Sequence, residues 1–516
     1  MPTPSAATAE FTQPGFAVSL LGAALPGLYL LITSTTYTIP GIWPYDAKRL
    51  LQFFLLILVL LLPALNRGLR EQFAVLISVI PNWYGVALTA TFAWGAISAS
   101  INAQTANHLV SSFSEVALLL SLVLGVLVVA ACRRVGQKWF DRVAISLLAL
   151  TGLIVGVQEL VGVAAAQTAG LDFSYDTALQ YFSKPRFYNQ FQSWTMPVIV
   201  ALPLIFPGKP LARWLCLIAL ALHWYVLLMT AGRGTAVSLA GAILFAVTFL
   251  PAARIALLKW QLGGLLLGAL IYASVLFTLE GFSHDASVIE ARSDPAVASA
   301  RDDGSLYFDQ SLGRPMLHTS GRSWIWSRTL EDVAKHPLLG IGPMNYACTN
   351  AVWFGHPHNF PLQIAAEWGF PAALVLAAVF VGLLASATRQ IRRLSSESYV
   401  KAAPASLLLT GVLAAAIHSC FSGVLVMPAS QVTGVLVCGV LLGSLAPAQA
   451  HRRRLPTRWI VIAGLILSGA LLIQGGREIS TMEERATQLP PRIFAPRIWQ
   501  DSKVCVLYTT QNEVNN

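Results

Sequence analysis

The chain has 516 residues, of which 55% are hydrophobic and only 11% charged, with a formal charge of +10 and a mean hydropathy of +0.63. A soluble domain carries about 25% charged residues, so this composition excludes an ordinary soluble enzyme and places the chain in lipid. Apolar runs of spanning length, roughly 17–25 residues, fall near 16–35, 50–65, 74–102, 109–131, 143–166, 193–207, 214–230, 235–251, 260–279, 367–387, 402–421, 424–447 and 458–474. The prediction is an all-α polytopic membrane protein of about 12–13 transmembrane helices. Pro81 interrupts the 74–102 run and makes it a candidate re-entrant segment.

Residues 1–15 contain no Lys or Arg, and the run that follows has spanning length, so a cleavable signal is not expected. With the N-terminus inside, basic residues gather in alternate loops: Arg67 and Arg70; Arg133, Arg134, Lys138 and Arg142; Lys209 and Arg213; Arg254 and Lys259; Arg389, Arg392, Arg393 and Lys401; Arg452, Arg453, Arg454 and Arg458. This is the positive-inside pattern, and it reads the positive charge as a topology signal favouring anionic lipid rather than nucleic acid. Lys48 and Arg49 fall against the pattern, in the first outer loop.

The scheme divides the chain into N-terminal spans (1–279), one large loop on the outer, periplasmic side (280–366), C-terminal spans (367–474) and a polar tail (475–516). Within the loop, Asp285–Asp309 is acidic and small-residue rich and reads as a flexible insertion. Six scattered cysteines have no metal or redox spacing, and Cys348 and Cys505 are expected as unrelated thiols.

Ionisable groups at the outer membrane edge are costly and usually functional. Arg233 stands in Thr230-Ala231-Gly232-Arg233-Gly234-Thr235, where flanking glycines let a backbone approach a ligand; snorkelling to lipid phosphate is the plainer alternative. Arg322 follows Thr319-Ser320-Gly321 at the start of a helix expected over 321–335, with Trp326, Leu330, Val333 and Ala334 at helical spacing and His336-Pro337 as the stop. A cation in a first turn opposes the helix dipole, which prefers an anion there. Arg322 with the free amides of that turn therefore makes a candidate phosphate site.

The loop near 167–192 crowds Lys184, Arg186, Asn189, Gln190 and Gln192 at the mouth of a span, and these amides suit a sugar-like partner. His356-Pro357-His358-Asn359 closes the large loop. A neutral imidazole is a natural base for a hydroxyl, and Asn359 and Glu367 are candidates to orient it or the substrate. Zinc on His356, His358 and Glu367 is the competing idea, but no Cys and no H-E-x-x-H helix supports it, so no metal and no cofactor are expected. Glu159 within a span has no role here beyond pairing with a basic group.

Gly321-Arg322-Ser323-Trp324-Ile325-Trp326, His336-Pro337-Leu338-Leu339-Gly340-Ile341-Gly342-Pro343, His358-Asn359-Phe360-Pro361-Leu362-Gln363 and Glu367-Trp368-Gly369, with Arg233 in its Gly-Arg-Gly turn, resemble the Wzy-C module. That module marks the O-antigen ligase, O-antigen polymerase and bacterial O-oligosaccharyltransferase superfamily. The resemblance implies a GT-C-like, lipid-donor glycosyltransferase of the bacterial inner membrane with its site facing the periplasm. It would move a glycan from undecaprenyl pyrophosphate to a hydroxyl, with inversion and without metal. Arg233 and Arg322 would hold the pyrophosphate and His358 would deprotonate the acceptor, in a lateral groove open to the polyprenyl chain.

Arg186-Phe187-Tyr188-Asn189-Gln190-Phe191-Gln192-Ser193-Trp194 with Met196-Pro197 resembles the signature of pilin-type protein glycosylation ligases. It favours Ser or Thr of pilin or another exported protein as acceptor. Lipid A-core, as in an O-antigen ligase, and a second lipid-linked repeat, as in a polymerase, are the alternatives. A transporter predicts broken, charged positions repeated in two halves, and no such repeat is evident; Glu159 and His418 stand isolated.

Overall fold

Every regular element among the described residues is a helix, as expected of a chain that must satisfy its backbone polar groups without water. The computed structural model describes residues 16–35, 42, 44–104, 106–169, 179, 182, 185–282, 322–349, 355–447 and 458–488. The helices are α1 (Phe16–Thr35), α2 (Pro44–Leu65), α3 (Arg67–Val79), α4 (Asn82–Asn102), α5 (Ala106–Thr168), α6 (Pro185–Ile199), α7 (Leu202–Ile205), α8 (Pro210–Met229), α9 (Arg233–Phe249), α10 (Arg254–Phe282), α11 (Arg322–Lys335), α12 (Tyr346–Thr349), α13 (Phe360–Trp368), α14 (Phe370–Glu397), α15 (Tyr399–Ser419), α16 (Pro428–Leu445) and α17 (Arg458–Gln488). Lys184, the Asp285–Asp309 insertion, Thr319, Ser320 and Cys505 lie outside the described residues.

Ten of the described helices are long and apolar enough to cross a membrane, against the 12–13 spans expected from hydropathy. The difference has identifiable causes. The two runs at 109–131 and 143–166 form the single 63-residue α5, which breaks at Gln137 (φ 45°, ψ −120°). Cys132 before the break and Phe140 after it both pack on Gly22 of α1, and Arg133 grips Asp141 across it at 2.8 Å. α9 is a shorter apolar helix of 17 residues. The 74–102 run divides at Pro81 into the end of the amphipathic α3 and the whole of α4. The last span does not stop at 474, because α17 continues without interruption to Gln488.

Four of the cations assigned to alternate loops bind helix C-terminal carbonyls. Arg70 donates to Pro63 and Ala64, Arg133 to Gly443, Arg134 to Ala446 and Arg142 to Ile205. Cations at helix C-termini complement both the dipole and the orphan carbonyls there.

Lys48 and Arg49 depart from expectation. They lie within α2, not in a loop, and both are buried. Arg49 donates to Gln52, Gln431, Tyr45 and the Val426 carbonyl at 2.5–2.8 Å. Burial of a guanidinium is tolerable when its donors are satisfied.

The centre of the bundle is α6, in contact with α5, α8, α9, α15 and α16. Its residues from Tyr188 to Ile199 are all buried. Glu159 of α5 is buried, at 1% exposure. Its Oε2 has no hydrogen-bond partner among the described residues.

Candidate functional site

Arginines stand in the first turns of α6, α9 and α11. Arg186 is the second residue of α6, Arg233 the first of α9 and Arg322 the first of α11. None of the three helices has an acidic residue in its first turn. The charges of Arg186 and Arg233 both act on Arg322, and burial together with these two charges pushes its guanidinium down to about 10. At neutral pH it remains a cation. Arg322 makes no hydrogen bond or ion pair among the described residues. Three like charges, each opposed by a helix dipole, are assembled at a cost that a bound anion would relieve.

The turn before α9 is shaped for close approach. Ala231 adopts φ 43°, a left-handed conformation unusual for a residue with a Cβ. Asn189 of α6 braces the turn: its side-chain oxygen accepts from Thr230 at 2.9 Å, and its carbonyl accepts from Thr235 at 3.0 Å.

The expected loop residues of this segment are therefore helical. Asn189, Gln190 and Gln192 are at most 5% exposed. Gln190 donates to Ser422 at 2.9 Å and Gln192 to the His223 carbonyl at 2.6 Å. These amides tie α6 to its neighbours, whereas Arg186 on the same helix is exposed. Hydropathy misreads the segment as a loop because its polar groups find partners inside the bundle.

α11 carries the third arginine and reaches the histidines. Trp326, one turn after Arg322, donates to the Pro357 carbonyl at 3.0 Å. His358 adopts φ 54° and is half-buried, the second non-glycine residue of the site in the left-handed region, where backbone strain often accompanies function. Its N–H donates to Nδ1 of His356 at 3.1 Å, and the two rings lie 4.3 Å apart. His356 is 1% exposed and packs on Gly423, so it holds the turn while His358 is presented.

Asn359 is the N-cap of α13, accepting from Leu362 at 3.0 Å. Glu367 was expected on the segment entering the membrane. It lies in α13, which leads through Gly369 into the spanning helix α14, fully buried, and its carboxylate accepts from the Tyr346 N–H at 3.0 Å. Gly369 (φ 91°) then separates α13 from α14, and a side chain there would strike the Leu338 carbonyl. Among the described residues no three His, Cys, Asp or Glu side chains are grouped to hold a metal.

The connector between α15 and α16 carried no signal in the sequence, yet it touches several elements of the site. Phe421 lies 6.5 Å from the Trp326 ring and touches the Gly234 position. Ser422 accepts from Gln190, Gly423 receives His356 and the Val426 carbonyl accepts from Arg49. His418, just before the connector, packs on Gly234 and pairs with Ser193 at 2.7 Å. Elsewhere, an apolar groove of about 410 Å³ opens between the second half of α5 and α10, lined by Leu160, Leu270, Ile271, Ser274 and Val275.

Residues 217–377 match the family model described as O-antigen ligase (Wzy_C). The matched segment contains Arg233, Arg322 and His358 but neither α6 nor His418. Comparison with curated proteins gives no match.

Proposed function

We propose, from the O-antigen ligase module at residues 217–377 and the arginines gathered inside and beside it, that this chain transfers a glycan from a polyprenyl pyrophosphate to a hydroxyl. The observation that carries the reading is the convergence of Arg186, Arg233 and Arg322 at three helix N-termini. A pyrophosphate supplies the negative charge such a cradle needs, and fixed cations stabilise the charge that develops on it as a leaving group.

In this reaction the imidazole of His358 removes the proton of the acceptor hydroxyl as its oxygen attacks the anomeric carbon. The bond from that carbon to the phosphate oxygen breaks, the configuration inverts, and undecaprenyl pyrophosphate leaves into the cradle. The proton remains on His358 until it is lost to solvent. No step calls for a metal. In a bacterial inner membrane the site would face the periplasm, where assembled lipid-linked glycans are presented.

Ser or Thr of pilin or another exported protein is the acceptor we favour, on the resemblance of residues 185–197 in α6. Lipid A-core is the second reading, supported by the O-antigen ligase description of the matched family. The test is transfer in cells without ligases of their own, supplied with an undecaprenyl-linked glycan, a reporter pilin and complete lipid A-core. Glycan on pilin that is lost with His358→Ala supports the protein acceptor, and glycan on lipid A-core replaces it with the second reading. Glycan on neither would overturn the transferase assignment for that donor.

A further inference from the structure

The two histidines of the His356-Pro357-His358 turn have unlike surroundings, and the proposed reaction uses only the second. His356 is 1% exposed and packs against the connector between α15 and α16. The backbone N–H of His358, two residues on, donates to its Nδ1 at 3.1 Å. An amide N–H can only donate. Nδ1 of His356 therefore carries a lone pair, and the proton of the neutral ring sits on Nε2.

This bond has the form of an Asx turn, in which the side-chain acceptor of Asn or Asp takes the N–H two residues ahead. The δ1 nitrogen of histidine stands as many bonds from the backbone as the δ1 oxygen of asparagine. The carbonyl of the turn is taken as well, because Pro357 accepts from Trp326 at 3.0 Å. His358 is thereby held at φ 54°, a conformation that a residue with a Cβ keeps only where its surroundings enforce it.

Room for the His356 ring comes from Gly423. A side chain added there would begin 2.7 Å from Cε1 and 2.9 Å from Nε2 of His356, closer than heavy atoms pack. The backbone behind the ring is itself fixed. The Gly423 carbonyl accepts from Val426 and Met427 at 2.9 and 3.1 Å, and the Val426 carbonyl accepts from Arg49 at 2.6 Å.

We infer that His356 is a positioning residue: its Nδ1 lone pair holds the left-handed turn that presents His358, and Gly423 is required to make room for it. The inference rests on His358 being the base of the transfer proposed above. It gives His356 no contact with substrate, because the acceptor nitrogen is occupied within the chain and the Nε2 edge is closed off by Gly423.

The test is glycan transfer by the purified full-length protein in lipid nanodiscs, with an undecaprenyl-linked glycan as donor and both pilin and lipid A-core supplied. Binding of inorganic pyrophosphate is measured beside it. His356→Asn keeps an acceptor at the δ1 position and should retain transfer to within about fivefold of wild type. His356→Gln places its amide at the Nε2 position instead and should lose about thirtyfold or more, as should His356→Leu. All three should bind pyrophosphate as wild type does, because the loss falls on the base and not on the arginines. Gly423→Ala should lower transfer by about tenfold, and His356→Asn in the same chain should recover most of it, since the shorter side chain vacates the space.

Transfer by His356→Gln equal to or above that of His356→Asn would overturn the inference, because the working atom would then be Nε2. So would full transfer by a folded His356→Leu, or losses from Gly423→Ala and His356→Asn that simply add. If His356→Leu does not fold, the ranking of His356→Asn against His356→Gln and the Gly423→Ala pair decide. Pyrophosphate binding that weakens in step with transfer would make His356 part of the donor site and also overturn it. Wild-type transfer by His358→Ala would remove the base and the inference with it, whereas dependence on His358 with indifference at 356 would remove the inference alone.

Discussion

Trp326 donates its indole N–H to the carbonyl of Pro357 at 3.0 Å, and this bond fastens the helix that begins at Arg322 to the turn that presents His358. The clamp and base proposed above are thereby joined through one hydrogen bond. Trp326→Phe keeps the ring and removes the donor, a loss of about 1 kcal/mol in stability. The transfer rate should fall by about tenfold or more, because misplacement of a base costs far more in rate than in folding. Steady-state transfer alongside thermal unfolding checks this, and an unchanged rate in a folded variant would uncouple the two elements.

Arg322→Lys should fail to transfer although the charge is kept. A guanidinium offers a planar fork to a phosphate, and an ammonium offers a point charge. Arg322 is also half-buried among like charges, so a shorter-reaching, more strongly hydrated cation would withdraw toward water. We expect a loss of roughly a hundredfold or more in kcat/KM; full activity would make a clamp at this position untenable.

Glu367 accepts from the Tyr346 N–H inside the protein, which separates a scaffold role from the substrate contact read from sequence. Glu367→Gln keeps an acceptor and should change stability by no more than about 1 kcal/mol, whereas Glu367→Ala leaves a buried donor unsatisfied and should cost about 1–3 kcal/mol. The Michaelis constant for the glycan donor should stay at its wild-type value in Glu367→Gln. A rise in that constant with stability intact would restore the carboxylate to the substrate.

Prolonged dialysis against a chelator should leave transfer unchanged, since every step assigned above uses arginine and histidine side chains. Loss of activity that zinc restores would revive a metal on His356 and His358.

How far these elements were legible depends on where their partners lie. The start and stop of α11 were readable because helical spacing and the His336-Pro337 stop are local signals. α6 was not, because Asn189, Gln190 and Gln192 look like a loop until Thr230, Ser422 and the His223 carbonyl are brought to them. Lys48 and Arg49 misled for the same reason: Gln431, which satisfies Arg49, lies 382 residues away in sequence. His418 stood isolated because Ser193 is 225 residues distant. The roles of Arg322 and Arg233 were suggested by the flanking glycines and the first-turn position, yet that Arg186 joins them is a property of the assembled bundle. Hydropathy is a local average, and it cannot register polar groups that are satisfied across the bundle.

The left-handed backbone at His358 has a consequence for anyone who improves this protein by selection. A residue with a side chain held at φ 54° carries a cost of order 1 kcal/mol that glycine would not. A library scored on expression or thermal tolerance alone would therefore reward glycine at 358, and its winners would be robust proteins without the base proposed here. Any campaign on this scaffold has to score turnover alongside yield, because at this position the two pull in opposite directions.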